Sequence, residues 1–195
     1  MTLIEPPPRN PLNGDEHFIG LDGVVDDFRR FALPDLLMNN ARGWFVEYLV
    51  WRALGVERPV RTEWDAFDVL WGDVRIEVKA SAQMQQWAQA GPSTLKFEGL
   101  RSKTLIAGTN SYTAEASYNA DVYVLAAHTA ASHDVYDQLD LSQWRFVVLT
   151  RTAVARTGLK SMSWVRAQAE GGGSIRFDEL AAAIEGAADA EHRSA

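Results

Sequence analysis

FDVLWGDVRIEVKAS, residues 67–81, decides how this chain is expected to fold. Apolar residues at every second position mark strands over 64–71 and 74–80, with Gly72-Asp73 as a two-residue connection. Parity puts Phe67, Val69, Trp71, Val74, Ile76 and Val78 on one face, and Asp68, Leu70, Arg75, Glu77 and Lys79 on the other. That turn pairs Trp71 with Val74, and counting outward sets Asp68 opposite Glu77. Facing carboxylates repel each other, and protonation or a bound cation relieves the repulsion. A hard divalent ion such as magnesium takes one or two carboxylates and keeps several waters. Lys79, on the same face, is placed to orient or deprotonate a water or to offset charge on a phosphate. The plainer reading is a solvated hairpin face whose charges pair with their neighbours.

Upstream, NNARGWFVEYLVWRALG (39–55) reads as a helix, capped by Asn39 or Asn40 and closed by Gly55. Trp44, Val50, Trp51 and Leu54 lie within about 60° of Glu47 on the helical wheel, so an acid sits in an apolar stripe. Such an acid either pairs with an arginine at the boundary or reaches over the sheet toward Asp68. Residues 24–37 read as a short helical or irregular segment interrupted by Pro34, and Pro6–Pro8 as an extended arm. Downstream, 82–90 is expected to be a short helix, LKFEGL (95–100) a strand or turn, and 102–120 is ambiguous with room for a helix. Residues 121–129 and 144–150 read as strands, 161–170 and 176–188 as helices, and 189–195 as a frayed tail. Strands interleaved with helices predict an α/β domain around a central mixed sheet flanked by helices.

The ordered set of a helix carrying Glu47, a strand carrying Asp68 and then Glu77-Val78-Lys79 resembles the core of the PD-(D/E)XK nuclease superfamily, the restriction-endonuclease-like fold that includes Holliday junction resolvases. The resemblance covers 38–150, with 1–37 as an amino-terminal arm and short helical segment and 151–190 as helices packed on the same domain. It implies that Asp68 and Glu77 hold magnesium, with manganese as a substitute, that Glu47 assists in the metal shell and that Lys79 positions or activates the attacking water. Phe67 stands where the family's nominal P-D pair has proline. Asp65 is an alternative ligand, but regular strand parity turns it to the apolar face. SAQMQQW (81–87) resembles the polar stretch that follows the E-x-K element in several members, and Gln86 is the residue expected to contact substrate there. Arg101 and Lys103, with Lys96 nearby, form a basic cluster suited to backbone phosphates. Arg151, Arg156, Lys160, Arg166 and Trp164 form a second basic group with an aromatic.

The four histidines show no ligand spacing, and EGGGS (170–174) lacks the lysine of a phosphate-binding loop. With no cysteine, disulfide frameworks and thiolate metal sites are excluded. No run reaches the length of a membrane span, and the first residues lack a secretory pattern, so the expectation is a cytoplasmic protein without membrane contact. A net charge of -7 argues against a broadly basic surface, leaving only a local cleft for nucleic acid. The expected function is a magnesium-dependent endonuclease hydrolysing phosphodiesters, with DNA preferred as substrate. A homodimer or partner subunit would supply a second active centre for duplex cleavage. The alternatives are a noncatalytic nucleic-acid or protein-binding module of the same fold, and an interaction domain with a solvated hairpin.

Overall fold

The structure, a computed structural model, describes residues 10–57, 60–61, 66–106, 108–109 and 111–194. The chain divides into two units, Met1–Leu36 and Leu37–Ala195. In the first, helix α1 (Val25–Ala32) stops before Pro34, whose ring disfavours helical backbone in the preceding residue. Arg29 ties this helix to the Asn13 carbonyl and to Asp26. The arm at Pro6–Pro8 lies outside the described residues.

The second unit opens with helix α2 (Asn39–Ala53). Its cap is Met38, without a side-chain hydrogen bond, rather than the expected asparagine. Asn39 lies inside the helix, and its Oδ1 accepts from Arg42. Strands β1 (Val69–Trp71) and β2 (Val74–Ala82) form the hairpin in the expected register, Trp71 against Val74 and Val69 against Ile76, with Gly72 at φ 62° in the turn. β1 is shorter than expected at its start, and residues 62–65, Asp65 among them, lie outside the described residues. Phe67 packs on the opposite side of the sheet from Val69, against strict parity, because the chain leaves regular strand geometry just before β1.

After β2, residues 83–90 form bends instead of the expected helix. The Gln89 side chain accepts from the Gln85 amide and donates to the Gln83 carbonyl, bonding groups that a helix would pair internally. Strand β3 (Lys96–Glu98) follows, and 102–117 holds isolated bridges, Ser102 to Ser117 and Leu105 to Tyr112. Strands β4 (Val122–His128) and β5 (Trp144–Thr150) complete the main sheet. Helix α3 (Arg151–Thr157), not foreseen from the sequence, starts behind Thr150, whose side chain accepts from the Ala153 amide, and stops at Gly158 with φ 67°. Strand β6 (Ser161–Ser163) takes residues expected to open a helix and pairs them with β3. Helix α4 (Trp164–Gly171) then begins behind the Ser163 cap. Helix α5 (Leu180–His192) continues through most of the segment expected to fray. Its Glu191 is buried and accepts from Arg151 and from the Thr152 amide and hydroxyl, which anchors the last turn.

The main sheet is mixed, in the order β1-β2-β4-β5, with β2 and β4 parallel and the outer pairs antiparallel. β4 is buried at every position, as a strand covered on both faces must be. One core joins Val46, Leu49 and Val50 of α2 and Leu180, Ile184 and Ala188 of α5 to the Val69, Ile76 and Val124 face. The other joins Phe97, Met162, Val154 and Ala167 to Tyr123, Leu125, Val147 and Leu149. The unit is therefore three-layered, α/β with helices on both faces. Among the described residues no helix is long and apolar enough to cross a membrane.

Candidate functional site

β1 pairs only with Val74–Ile76, so among the described residues the outer edge of β2 has no strand partner beyond Ile76, while the other edge pairs with β4 through Ala82. At that open edge the Asp68 side chain replaces a strand: its Oδ2 accepts from the Val78 amide at 2.8 Å. The bond turns Asp68 toward Glu77 and Lys79. The Lys79 ammonium contacts Glu77 Oε1 and lies 3.7 Å from Asp68 Oδ2, so both carboxylates converge on one cation. Gly99, at φ 72°, supplies the left-handed backbone of the loop after β3, which lies against the Lys79 stem at ordinary contact distance.

Glu47 is 8% exposed on α2, and Arg61 grips it, with Nε 2.7 Å from Oε2 and Nη2 3.4 Å from Oε1. Of the two outcomes foreseen for this acid, the structure shows the pairing with an arginine; toward Glu77 and Lys79 it exerts only the smallest of the electrostatic influences on them. Burial pushes the Glu77 carboxyl up to about 7; Lys79 pulls it back in part, while Asp68 and Glu47 push in the same direction as burial. Burial also raises Glu47, against the pull of Arg61. For Lys79 burial works against the charge, but Glu77 and Asp68 outweigh it and hold the ammonium above its ordinary value. In the metal-free site Lys79 is thus held in its charged form, which suits it to hold a water or phosphate oxygen.

Among the described residues no group of three or more histidine, cysteine or acidic side chains stands ready to hold a metal ion. The chemistry of the pair still suits a hard cation. Asp68 and Glu77 present oxygen donors toward one point, which the Lys79 ammonium fills here, and two carboxylate oxygens of this kind are the donors a hard divalent ion takes.

The other sequence candidates scatter. Gln86 is exposed, whereas Gln85 is buried, accepts from Arg42 and lines a cleft of about 370 Å³ next to Lys79. Arg101 stacks over the Tyr118 ring and Lys103 is exposed, while Lys96 lines the cleft. Arg151 is held by Asp121 and Glu191, and Arg156 and Arg166 both grip Glu170. Trp164 packs against Phe97 in the second core. His128 is a core residue between Tyr136 and Trp144, kept toward its neutral form by burial. Sequence reading missed Arg61 and Arg42. The acid in an apolar stripe at Glu47 was the one signal that pointed to an arginine partner. Comparison with family models, curated proteins and solved structures returned no match for this chain.

Proposed function

We propose that the second unit is a metal-dependent phosphodiesterase of the PD-(D/E)XK kind, with DNA as the preferred substrate. The observation that supports this is the convergence of Asp68 and Glu77 on Lys79 at the unpaired edge of β2, beside an open cleft. Asp68 and Glu77 would hold magnesium or manganese, which supplies Lewis-acid polarisation of the phosphoryl oxygen when bound. Lys79 stays charged and positions a water or phosphate oxygen; preorganised donors of this type are worth roughly 10²–10³ in rate. Glu47, fixed by Arg61, adds negative potential that favours the cation over competing anions. The Val78 amide fixes the Asp68 carboxylate, so this acid enters the reaction already oriented.

One observation favours a noncatalytic reading: Lys79 by itself satisfies both acids, forming a self-contained ion triad. Incubation of the full chain with single-stranded DNA, duplex DNA and RNA, each with magnesium, manganese or chelator, separates the two. Metal-dependent cleavage lost in Asp68→Asn, Glu77→Gln and Lys79→Met supports the nuclease. Cleavage that survives all three substitutions, or its absence from every substrate, refutes the nuclease.

A further inference from the structure

We infer that the cleft beside Lys79 is a phosphate subsite, holding a phosphate group of the strand whose scissile bond lies at Asp68 and Glu77; this rests on the nuclease reading. The cleft, about 370 Å³, is lined by Asn39, Arg42, Lys79, Gln85, Trp87 and Lys96 among others, a size within the range of small-ligand pockets. Its floor carries an unusual charge. Arg42 is 3% exposed, and its guanidinium donates to Asn39 Oδ1, Gln85 Oε1 and the carbonyls of Leu37 and Met84. These acceptors carry no formal charge, the Tyr136 side chain lies beside the guanidinium, and the buried Nε has no hydrogen-bond partner among the described residues. Among the described residues no carboxylate pairs with Arg42. A buried cation without a counter-charge is costly, and four bonds to fixed acceptors hold this one in place for an anion.

The surroundings add to the same field. Lys79 closes the end of the cleft nearest the acids, and Lys96 stands half exposed at its rim. The single acid on the wall, Glu98, is mostly exposed and already paired with Lys96 at 2.8 Å. The amino end of α2 contributes Asn39, and its first turn has neither a side-chain cap nor an acid, so its dipole is unopposed there. A planar guanidinium with neighbouring ammonium groups is the recognition chemistry of a phosphate oxygen set. Trp87, 57% exposed in the lining, offers an apolar face on which the base attached to that phosphate can stack. Lys79 and Lys96 already have carboxylate partners, so the charge left for an incoming phosphate is that of Arg42.

The test is calorimetric titration of the full chain, in chelator, with inorganic phosphate, thymidine 5′-monophosphate and thymidine. The first two are expected to bind and thymidine is not, with the nucleotide tighter than phosphate alone. Arg42→Gln should weaken both by about tenfold or more, and Lys96→Ala by roughly threefold, as expected for lost charge-assisted bonds. Trp87→Ala should weaken the nucleotide by roughly fivefold and leave phosphate unchanged. A purely structural Arg42 would not produce this pattern. Where Arg42→Gln fails to fold by circular dichroism, Lys96→Ala and Trp87→Ala decide, since both side chains are at least half exposed. Failure of wild type to bind phosphate and nucleotide at millimolar concentration, equal binding of thymidine, or unchanged affinities in the variants overturns the subsite. Because the titration needs no turnover, a chain that binds but does not cleave refutes the nuclease and keeps the subsite. One that cleaves but does not bind does the reverse.

Discussion

Removing the charge of Glu77 should change how the metal-free protein responds to pH. Its folded carboxyl is raised from 4.5 to about 7, chiefly by burial, and its side chain is only 12% exposed. Between those two values the folded chain holds a proton that the unfolded chain has released, so stability falls as pH rises. The contribution is fully present below the unfolded value and is lost as pH passes through about 7. At about 1.4 kcal/mol per unit the whole loss is about 3–4 kcal/mol, most of which falls between pH 5 and 8. Lys79, raised above its ordinary 10.5, stays charged throughout and adds no slope. Asp121 titrates below 3.8 and adds none either, because Arg75 outweighs the upward push of burial. Glu47, raised by burial, slopes in the same direction as Glu77, so the informative quantity is the difference between wild type and Glu77→Gln. Urea unfolding in chelator at pH 5, 6, 7 and 8 measures it. The wild-type advantage over the variant should shrink by about 2–3 kcal/mol across the series. A difference that stays flat, or widens with pH, refutes the burial and repulsion argument for this site.

Magnesium added at pH 8 should raise the unfolding midpoint of wild type and not of Asp68→Asn; saturation at 100 times the dissociation constant corresponds to about 2.7 kcal/mol, read by the same unfolding curves. Lys79→Met should lower kcat on cleaved DNA by roughly 10²–10³ with a smaller change in KM, measured by steady-state hydrolysis. Asp121 accepts from the Arg75 amide and guanidinium and lies 3.3 Å from Arg151, so Asp121→Asn leaves Arg75 without its carboxylate and Arg151 with Glu191 alone, and should cost about 1–2 kcal/mol in urea, the arginines being partly exposed. A Cβ on Gly171 would stand 2.6 Å from Val147 Cγ1, so Gly171→Ala should cost roughly 1–3 kcal/mol, seen as a lowered Tm.

The hairpin was legible because a two-residue period and a glycine turn set its register within a dozen residues; the ladder ends at Val69 and Ile76, and Asp68 meets the edge of β2 through its side-chain bond to the Val78 amide. The helix carrying Glu47 was legible for the same local reason, an apolar stripe bounded by a glycine. Failures came where tertiary partners outweighed local preference. Ser161–Ser163 became a strand because β3 offered it a ladder, and the segment after Ala188 stayed helical because Arg151 and Thr152 anchor Glu191. Gln86 had no local signal separating it from Gln85; only the direction of the bend after Ala82 puts Gln85 against Arg42.

The order of residues by itself determined the facing acids, the lysine beside them and an α/β architecture, since each follows from the spacing of neighbours along the chain. The tertiary structure alone decided that β4 lies between β2 and β5, that Arg61 grips Glu47 and that, among the described residues, β1 leaves an edge of β2 open and Arg42 is buried without a counter-ion. Those contacts join elements far apart in the chain, and the free energy that selects them comes from burying both sheet faces at once. No window of sequence contains that term.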